Sequence, residues 1–545
     1  MRDARFRFRK SDRIGAASAE EDADFLRTCY VNTGELDQLK DIEDHNILVQ
    51  GRTGSGKSAL LRKLADDVPR QVISISPEDL ALTYVTNSTI LNFFTQIGVN
   101  LDPFFKLLWR HVITVEILAR CLESEGGDTK GLVGRLVAMF TTEAKRDKQM
   151  RAAIDYLQKW GQKFWLETEY RVKEITETLE SKLDAETKAA IGIPGSTLAS
   201  SVNAAQSLSR EQKSELQTRA QRVVSETQVQ DLHRVMELLA KVLEERHCSY
   251  YLIIDRLDEN WVEERIRYKL IMALIATAKE FIQVPNAKVI LALRRDLIDR
   301  VFRLARDSGF QEEKYRSLYL PLTWPAKALL EILDRRVDAL VASRYTKQKV
   351  TYRDLLPGEF EKRGIDTVIS EIATTPRDVI AFFNECIAAA VDQSRLTAGA
   401  LSRAVGNYSR QRLLALADEW SANFPGLLEF TKVLHRRPRS FKLESVTDGE
   451  VEELCLSICA AEPGEVGVLH QNAMRVVDSV MKADEFRGFL VQVFYRIGLV
   501  GLKLAPHEET SWIDESGRSV SIAEISRETS IVVHAKYSRA LGVGS

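Results

Sequence analysis

Five short apolar runs punctuate the chain: Asn46–Gln50, Gln71–Ser76, Tyr250–Asp255, Lys288–Leu293 and Leu318–Leu322. Each is too short for an ordinary helix and is dominated by Val, Ile, Leu and Tyr. Their apolar character is continuous rather than alternating, which predicts strands covered on both faces. Helical spacing falls between and after them. Leu60, Leu61 and Leu64 share one side of a helix after the first run, and Leu329–Ala342 repeats such a pattern after the last. Strands separated by helices predict an α/β fold, a five-stranded parallel sheet with helices on both faces.

The interval before the third run breaks that rhythm. About 170 residues separate Ser76 from Tyr250, far more than a crossover needs. Phe93, Phe94, Phe104, Phe105 and Trp109 mark packed helices at its start. Val172, Ile175, Leu179 and Leu183 follow a three-four spacing, as do Leu232, Val235, Leu239 and Val242. Two amphipathic helices paired antiparallel would give that pattern. The Gly-, Ser- and Ala-rich stretch from Ile191 to Arg210 then forms the tip of a hairpin. Such a hairpin serves either as a partner-binding arm or oligomer contact, or as a surface feature packed on its own domain. The expected organisation is a split core at 1–80 and 248–325, a helical insertion at 81–247, a helical lid at 326–407 and a module at 408–545. In that module Phe486–Leu504 reads as a helix running into an apolar turn. A β-like pair is expected at Ser511–Ile513 and Ser519–Ile522. Helices with a small β-wing suggest a winged-helix-like domain.

The first strand runs into Gly51-Arg52-Thr53-Gly54-Ser55-Gly56-Lys57-Ser58, a full match to G-x-x-x-x-G-K-[ST], and Ala59 continues into the helix. Glycine reaches conformations closed to other residues, so the backbone can wrap a phosphate with its N–H groups turned inward. The helix beginning near Lys57 adds the positive end of its dipole. Lys57 would reach the β- and γ-phosphates and Ser58 would ligate Mg²⁺. Strand before and helix after are the context this motif requires.

The third run ends at Asp255, at the carboxyl end of its strand, where parallel α/β sheets bind ligands. Asp255 is the expected second Mg²⁺ carboxylate. A water-activating Glu often follows such an Asp, but here Arg256 stands in that place. Asp258 and Glu259 are the candidate general bases; as plain residues they would simply complement a helix dipole. Arg294 closes the fourth run, next to where a γ-phosphate would sit. Thr375-Pro376-Arg377 starts a helix, since proline suits the first helical turn. Arg377 there would face outward and meet the γ-phosphate with its permanent charge and forked donors. Arg303, Arg306 and Arg316 are candidates for an arginine acting in trans between protomers.

Composition narrows the partners. The 76 Lys+Arg and 78 Asp+Glu residues nearly cancel to a net charge of -2, which argues against a polybasic nucleic-acid binder. DNA contact through the C-terminal module stays open, without a concentrated basic face to support it. No run of 18 apolar residues occurs, so no membrane partner is expected. Met1–Arg13 lacks the apolar centre of a secretory signal. Six scattered cysteines form neither a disulfide framework nor a zinc pattern, and Cys455 and Cys459 are expected as buried thiols on one helix. His470, His507 and His534 lack metal-ligand spacing. A reducing cytoplasm fits all of these features.

The segments GRTGSGKS, LIIDRLDENW, KVILALRRDLI and TTPRDVIAFFNE together resemble the P-loop ATPases of the Sll1717 type, bacterial relatives of the AAA+ and STAND ATPases. More loosely, they are similar to the Orc/Cdc6 initiator ATPases. The likeness extends to Ser76-Pro77-Glu78-Asp79, Leu322-Thr323-Trp324 and Tyr408-Ser409, and so covers most of the chain. It implies a P-loop core with lid, ATP and Mg²⁺ as cofactors, Lys57 and Ser58 at the nucleotide, Asp255 at the metal, and sensor roles for Arg294 and Arg377. It also implies a switch that couples nucleotide state to self-assembly or to an effector protein, with some relatives resembling parts of anti-phage systems. Arg256 departs from the pattern, where a second Asp is frequent. A slow or non-enzymatic nucleotide-bound scaffold is the rival expectation.

Overall fold

The computed structural model describes residues 7–16, 18–77, 98–123, 249–259, 261–262, 264–305, 312–342, 349–356, 372–460, 467–513 and 518–544, with 214, 217, 218, 236, 237, 239, 240, 243, 244 and 369. The predicted hairpin helices and their tip lie outside these residues, apart from single positions such as Leu239, which is buried. Arg306, Cys248, Phe93 and Phe94 also lie outside them. The chain divides into two compact units. One holds 34–50 and 60–321; the other holds 1–33, 51–59 and 322–545.

The first of these units is built on the predicted sheet. Its strands are β1 (Leu48–Gly51), β2 (Val72–Ile75), β3 (Tyr250–Ile254), β4 (Ala287–Arg294) and β5 (Tyr319–Pro321). They stand side by side in the order β2-β3-β4-β1-β5. Parallel register pairs Tyr251 with Val72 and Lys288, and Leu48 with Tyr319. All of β3 and nearly all of β4 are buried, as their unbroken apolar runs require. Among the described helices that pack on the sheet are Asp102–Glu123 and Glu264–Phe281. Trp109, buried with Phe104 and Phe105, donates its indole N–H to the Leu270 carbonyl at 2.8 Å. That bond satisfies the indole's polar end inside an apolar interface.

Lys288 is the exception within β4. It is 3% exposed, and its ammonium donates to the carbonyls of Gln38 and Asp41 at 2.9 and 2.7 Å. Burial pushes its pKa down to about 8, against the opposing pull of Asp44 and Asp41. A depressed lysine pKa means that the unfolded chain binds more protons between that value and the free-lysine range. Stability contributed at this site therefore rises with pH from about 8 to about 10.4. Denaturant titrations across that window should show the rise in wild type relative to Lys288→Met. Parallel pH curves for the two proteins would refute it.

The second unit contains the lid helices and the C-terminal module. Its helices include Ala23–Cys29, Ala326–Ala342, Pro376–Ala389 and Ala398–Glu419. Buried Phe8 and Ile14 from the N-terminal segment join the core of these helices. Arg336 forms a forked, buried pair with Asp22 and also donates to the Ile14 carbonyl at 2.9 Å. In so enclosed a place each group offsets the burial cost of the other.

The C-terminal module carries helices Asp448–Ala460, Val468–Val477 and Ala483–Arg496 with a three-stranded antiparallel sheet. Its strands, β6 (Ser440–Lys442), β7 (Val500–Lys503) and β8 (Ser530–Val533), lie in the order β6-β8-β7. This arrangement is winged-helix-like but corrects two local expectations. The helix ends at Arg496, Gly498 turns with φ +74°, and Val500–Lys503 is a strand rather than an apolar turn. The expected β pair is reduced to one bridge between Ser511 and Leu502, while Ile522–Glu524 forms a single tight turn. Ser521 and Glu524 close a capping box there, which competes with extended pairing. Cys455 is buried and Cys459 half-buried, both as free thiols. No helix among the described residues is long and apolar enough to cross a membrane.

Candidate functional site

The phosphate-loop motif folds as its glycines require. β1 ends at Gly51 and the next helix begins at Lys57, spanning Lys57–Asp67. Gly54 and Gly56 have φ of +84° and +94°, a region that glycine enters without the cost of a Cβ. Lys57 Nζ donates to the carbonyls of Gly51 and Arg52 at 3.0 and 3.1 Å, which holds the cation at the loop. Two buried hydroxyls of the loop, Thr53 Oγ1 and Ser55 Oγ, have no hydrogen-bond partner among the described residues. A glycine turn carrying an ammonium, the Ser58 hydroxyl and buried donors fits a phosphate group and its Mg²⁺.

Within the same unit, four distant segments grip this loop. Trp324 donates its indole N–H to the Ser55 carbonyl at 2.8 Å, and its ring lies beside Gly56. The backbone N–H of Arg377 donates to the Gly54 carbonyl at 3.3 Å. Arg377 reaches that place because Thr375 caps the helix, accepting from the Asp378 N–H, and Pro376 occupies its first position. The expected outward-facing arginine is instead half-buried against the loop. A Cβ added at Gly54 would stand 2.6 Å from Arg377 Cβ. Arg52 donates to the Ile497 carbonyl at 2.9 Å, at the end of helix Ala483–Arg496, where a cation complements the dipole. Glu419 accepts the Thr53 N–H at 3.3 Å.

The acidic candidates belong to the other unit. Because its sheet is parallel, Asp255 and Arg294 lie at the same carboxyl edge, after β3 and at the end of β4. Asp255 accepts the N–H of Arg256 at 2.8 Å. Arg256 adopts φ +60°, a left-handed conformation that costs a non-glycine residue about 1–2 kcal/mol. This turn carries the chain to Asp258, which pairs with Arg294 at 3.1 Å. Arg294 also forks onto Asp296 at 2.9 and 2.8 Å. Glu259 lies 3.9 Å from Arg256 instead. One candidate base and the candidate sensor are thus in direct contact, and the other base is not part of that pair. Arg303 is exposed on the helix Arg295–Ala305, and Arg316 lies in the turn before β5.

Motif reading did not single out Asp296, Glu419 or Ile497, and it noted Trp324 only through resemblance. An arginine followed two positions later by Asp is a readable local fork. The others act across hundreds of residues and leave no local signal. No cluster of His, Cys, Asp or Glu able to hold a metal by itself occurs among the described residues.

The phosphate loop on a five-stranded parallel sheet makes this a P-loop α/β fold. A family model described as the FunZ-associated C-terminal helical domain matches residues 327–417, which include Arg377. The chain is 12% identical to the Walker-type ATPase PABY2304 of Pyrococcus abyssi, over 99% of each chain, with a TM-score of 0.37. Among curated proteins, none matches.

Proposed function

We propose that the protein binds ATP with Mg²⁺ at the phosphate loop and hydrolyses it as a switch of AAA+/STAND kind. One observation carries this reading: the full motif folds between a parallel strand and a helix, with Gly54 and Gly56 in left-handed turns and Lys57 held at the loop. In this proposal residues Gly51–Ala59 cradle the phosphates, and Lys57 neutralises their charge. Ser58 and Asp255 ligate the metal. Bound Mg²⁺ would supply charge neutralisation of the transferring phosphate. Arg294 and Arg377 respond to the terminal phosphate. Nucleotide state then changes self-assembly or the binding of an effector protein in the cytoplasm. A setting in bacterial defence rests on the sequence resemblance alone.

The base is proposed to be Asp258 or Glu259. Phosphate release measured for Asp258→Asn and Glu259→Gln should fall about a hundredfold for the true base and much less for the other. A second reading, a slow nucleotide-bound scaffold, is favoured by Arg256 beside Asp255 and by the Asp258–Arg294 ion pair, which occupies one candidate base. Unchanged turnover in both variants would move the conclusion to that reading. For DNA, the exposed residues Asp484 and Glu485 at the start of helix Ala483–Arg496 offer no concentrated basic face, Asp484 being paired with Arg487 and Arg527. An effector protein or a second copy is the preferred partner.

A further inference from the structure

Beside Arg377, the same unit buries a cluster of charge. Asp378 is 1% exposed in the first turn of helix Pro376–Ala389. One carboxylate oxygen accepts from the Thr374 N–H at 3.2 Å and the Thr374 hydroxyl at 3.1 Å. That oxygen lies 3.8 Å from Lys536 Nζ, and the other lies 3.1 Å from Arg412 Nε. Lys536 is 2% exposed and donates to the Thr374 hydroxyl at 2.9 Å. It comes from the short helix Ala535–Ser538, and just beyond that helix the Ala540 N–H donates to the Ser409 hydroxyl at 2.9 Å. Burial alone would raise the Asp378 carboxyl, yet Lys536, Arg412 and the Thr374 N–H hold it well below the usual range. The site is therefore a fixed anion flanked by two cations, Arg412 on one oxygen and Lys536, from a segment 158 positions further along the chain, on the side of the other.

Two adjacent residues thus face different partners. Asp378 is anchored to the C-terminal helix, and Arg377 rests on Gly54 of the phosphate loop. They share one helical turn, so a shift of the anchor moves the arginine. We propose that Lys536 and Asp378 are positioning residues for Arg377, through which the C-terminal helix sets how well the loop discriminates a nucleoside triphosphate from a diphosphate. This rests on the reading of the loop as a nucleotide site, and it adds a route by which a partner bound at the C-terminal module would tune that site.

The test uses the full chain with Mg²⁺, comparing dissociation constants for ATPγS and ADP. Arg377→Ala should reduce the preference for ATPγS about tenfold, the loss of one charge-assisted contact. Lys536→Met should reduce it severalfold, and the double variant should lose no more than Arg377→Ala alone. Lys536→Arg, which keeps the charge, should recover most of the preference. Thr374→Val removes the bridging hydroxyl without adding or removing charge, and should act in the same direction if Lys536→Met proves unstable. A purely structural role would lower the unfolding midpoint of Lys536→Met and Thr374→Val while leaving the preference at the wild-type value, and that result overturns the proposal. Additive losses in the double variant would overturn it too. A wild-type chain that binds neither nucleotide would instead overturn the reading of the loop itself.

Discussion

Lys57→Ala is expected to weaken ATP–Mg²⁺ binding about a hundredfold or more, as measured by calorimetric titration. Two or more charge-assisted hydrogen bonds to phosphate, each worth roughly 1.5–3 kcal/mol, would be lost. The fold should survive. Lys57 is half-buried, and the carbonyls of Gly51 and Arg52 that it caps can turn to water. Circular dichroism should therefore report a melting profile close to wild type while binding collapses. Lys57→Arg should recover little, because the guanidinium fork is broader than the ammonium and the loop is tight. Binding by Lys57→Ala at wild-type strength would remove the basis for a nucleotide function.

Gly54→Ala should damage the loop more than Gly56→Ala, lowering stability by about 2–3 kcal/mol and nucleotide affinity with it. Two effects add. A Cβ at φ +84° carries backbone strain, and that atom would meet Arg377 Cβ at 2.6 Å and Cδ at 2.9 Å. Either the loop or the first turn of the arginine's helix must move. Gly56→Ala provides the control. Its φ of +94° is as strained, but the nearest neighbour is a Trp324 ring carbon at 3.6 Å, an ordinary contact. Urea denaturation of the two variants should therefore separate them by roughly 1 kcal/mol or more, the steric part alone. Equal destabilisation would show that Arg377 yields freely and that the contact is loose.

Local patterns made the sheet readable. The central strands β3 and β4 are apolar runs whose burial on both faces leaves no room for polar alternation, and all five strands form at the expected places. The wing carries no such local signal. Val500–Lys503 continues directly from an apolar helix, and only the left-handed turn at Gly498 separates them. Its partner β8 lies near the chain's end, where Ser530–Val533 gives four residues of weak signal. Strands of that length are selected by the sheet they join rather than by their own preferences.

By itself, the amino-acid sequence determined the phosphate loop, because eight consecutive residues contain the glycines, the cation and the hydroxyl that the chemistry needs. It likewise determined that Asp255 would follow a buried strand. Only the tertiary structure decided what holds the loop. Arg52 meets a carbonyl 445 positions away and Ser55 an indole 269 positions away. It also decided that Arg294 is shared between Asp258 and Asp296, and that Lys536 stands behind the helix of Arg377. Hydrogen bonds and ion pairs of this kind depend on distance in space. No periodicity or short motif encodes such a distance until packing of the buried cores has set it.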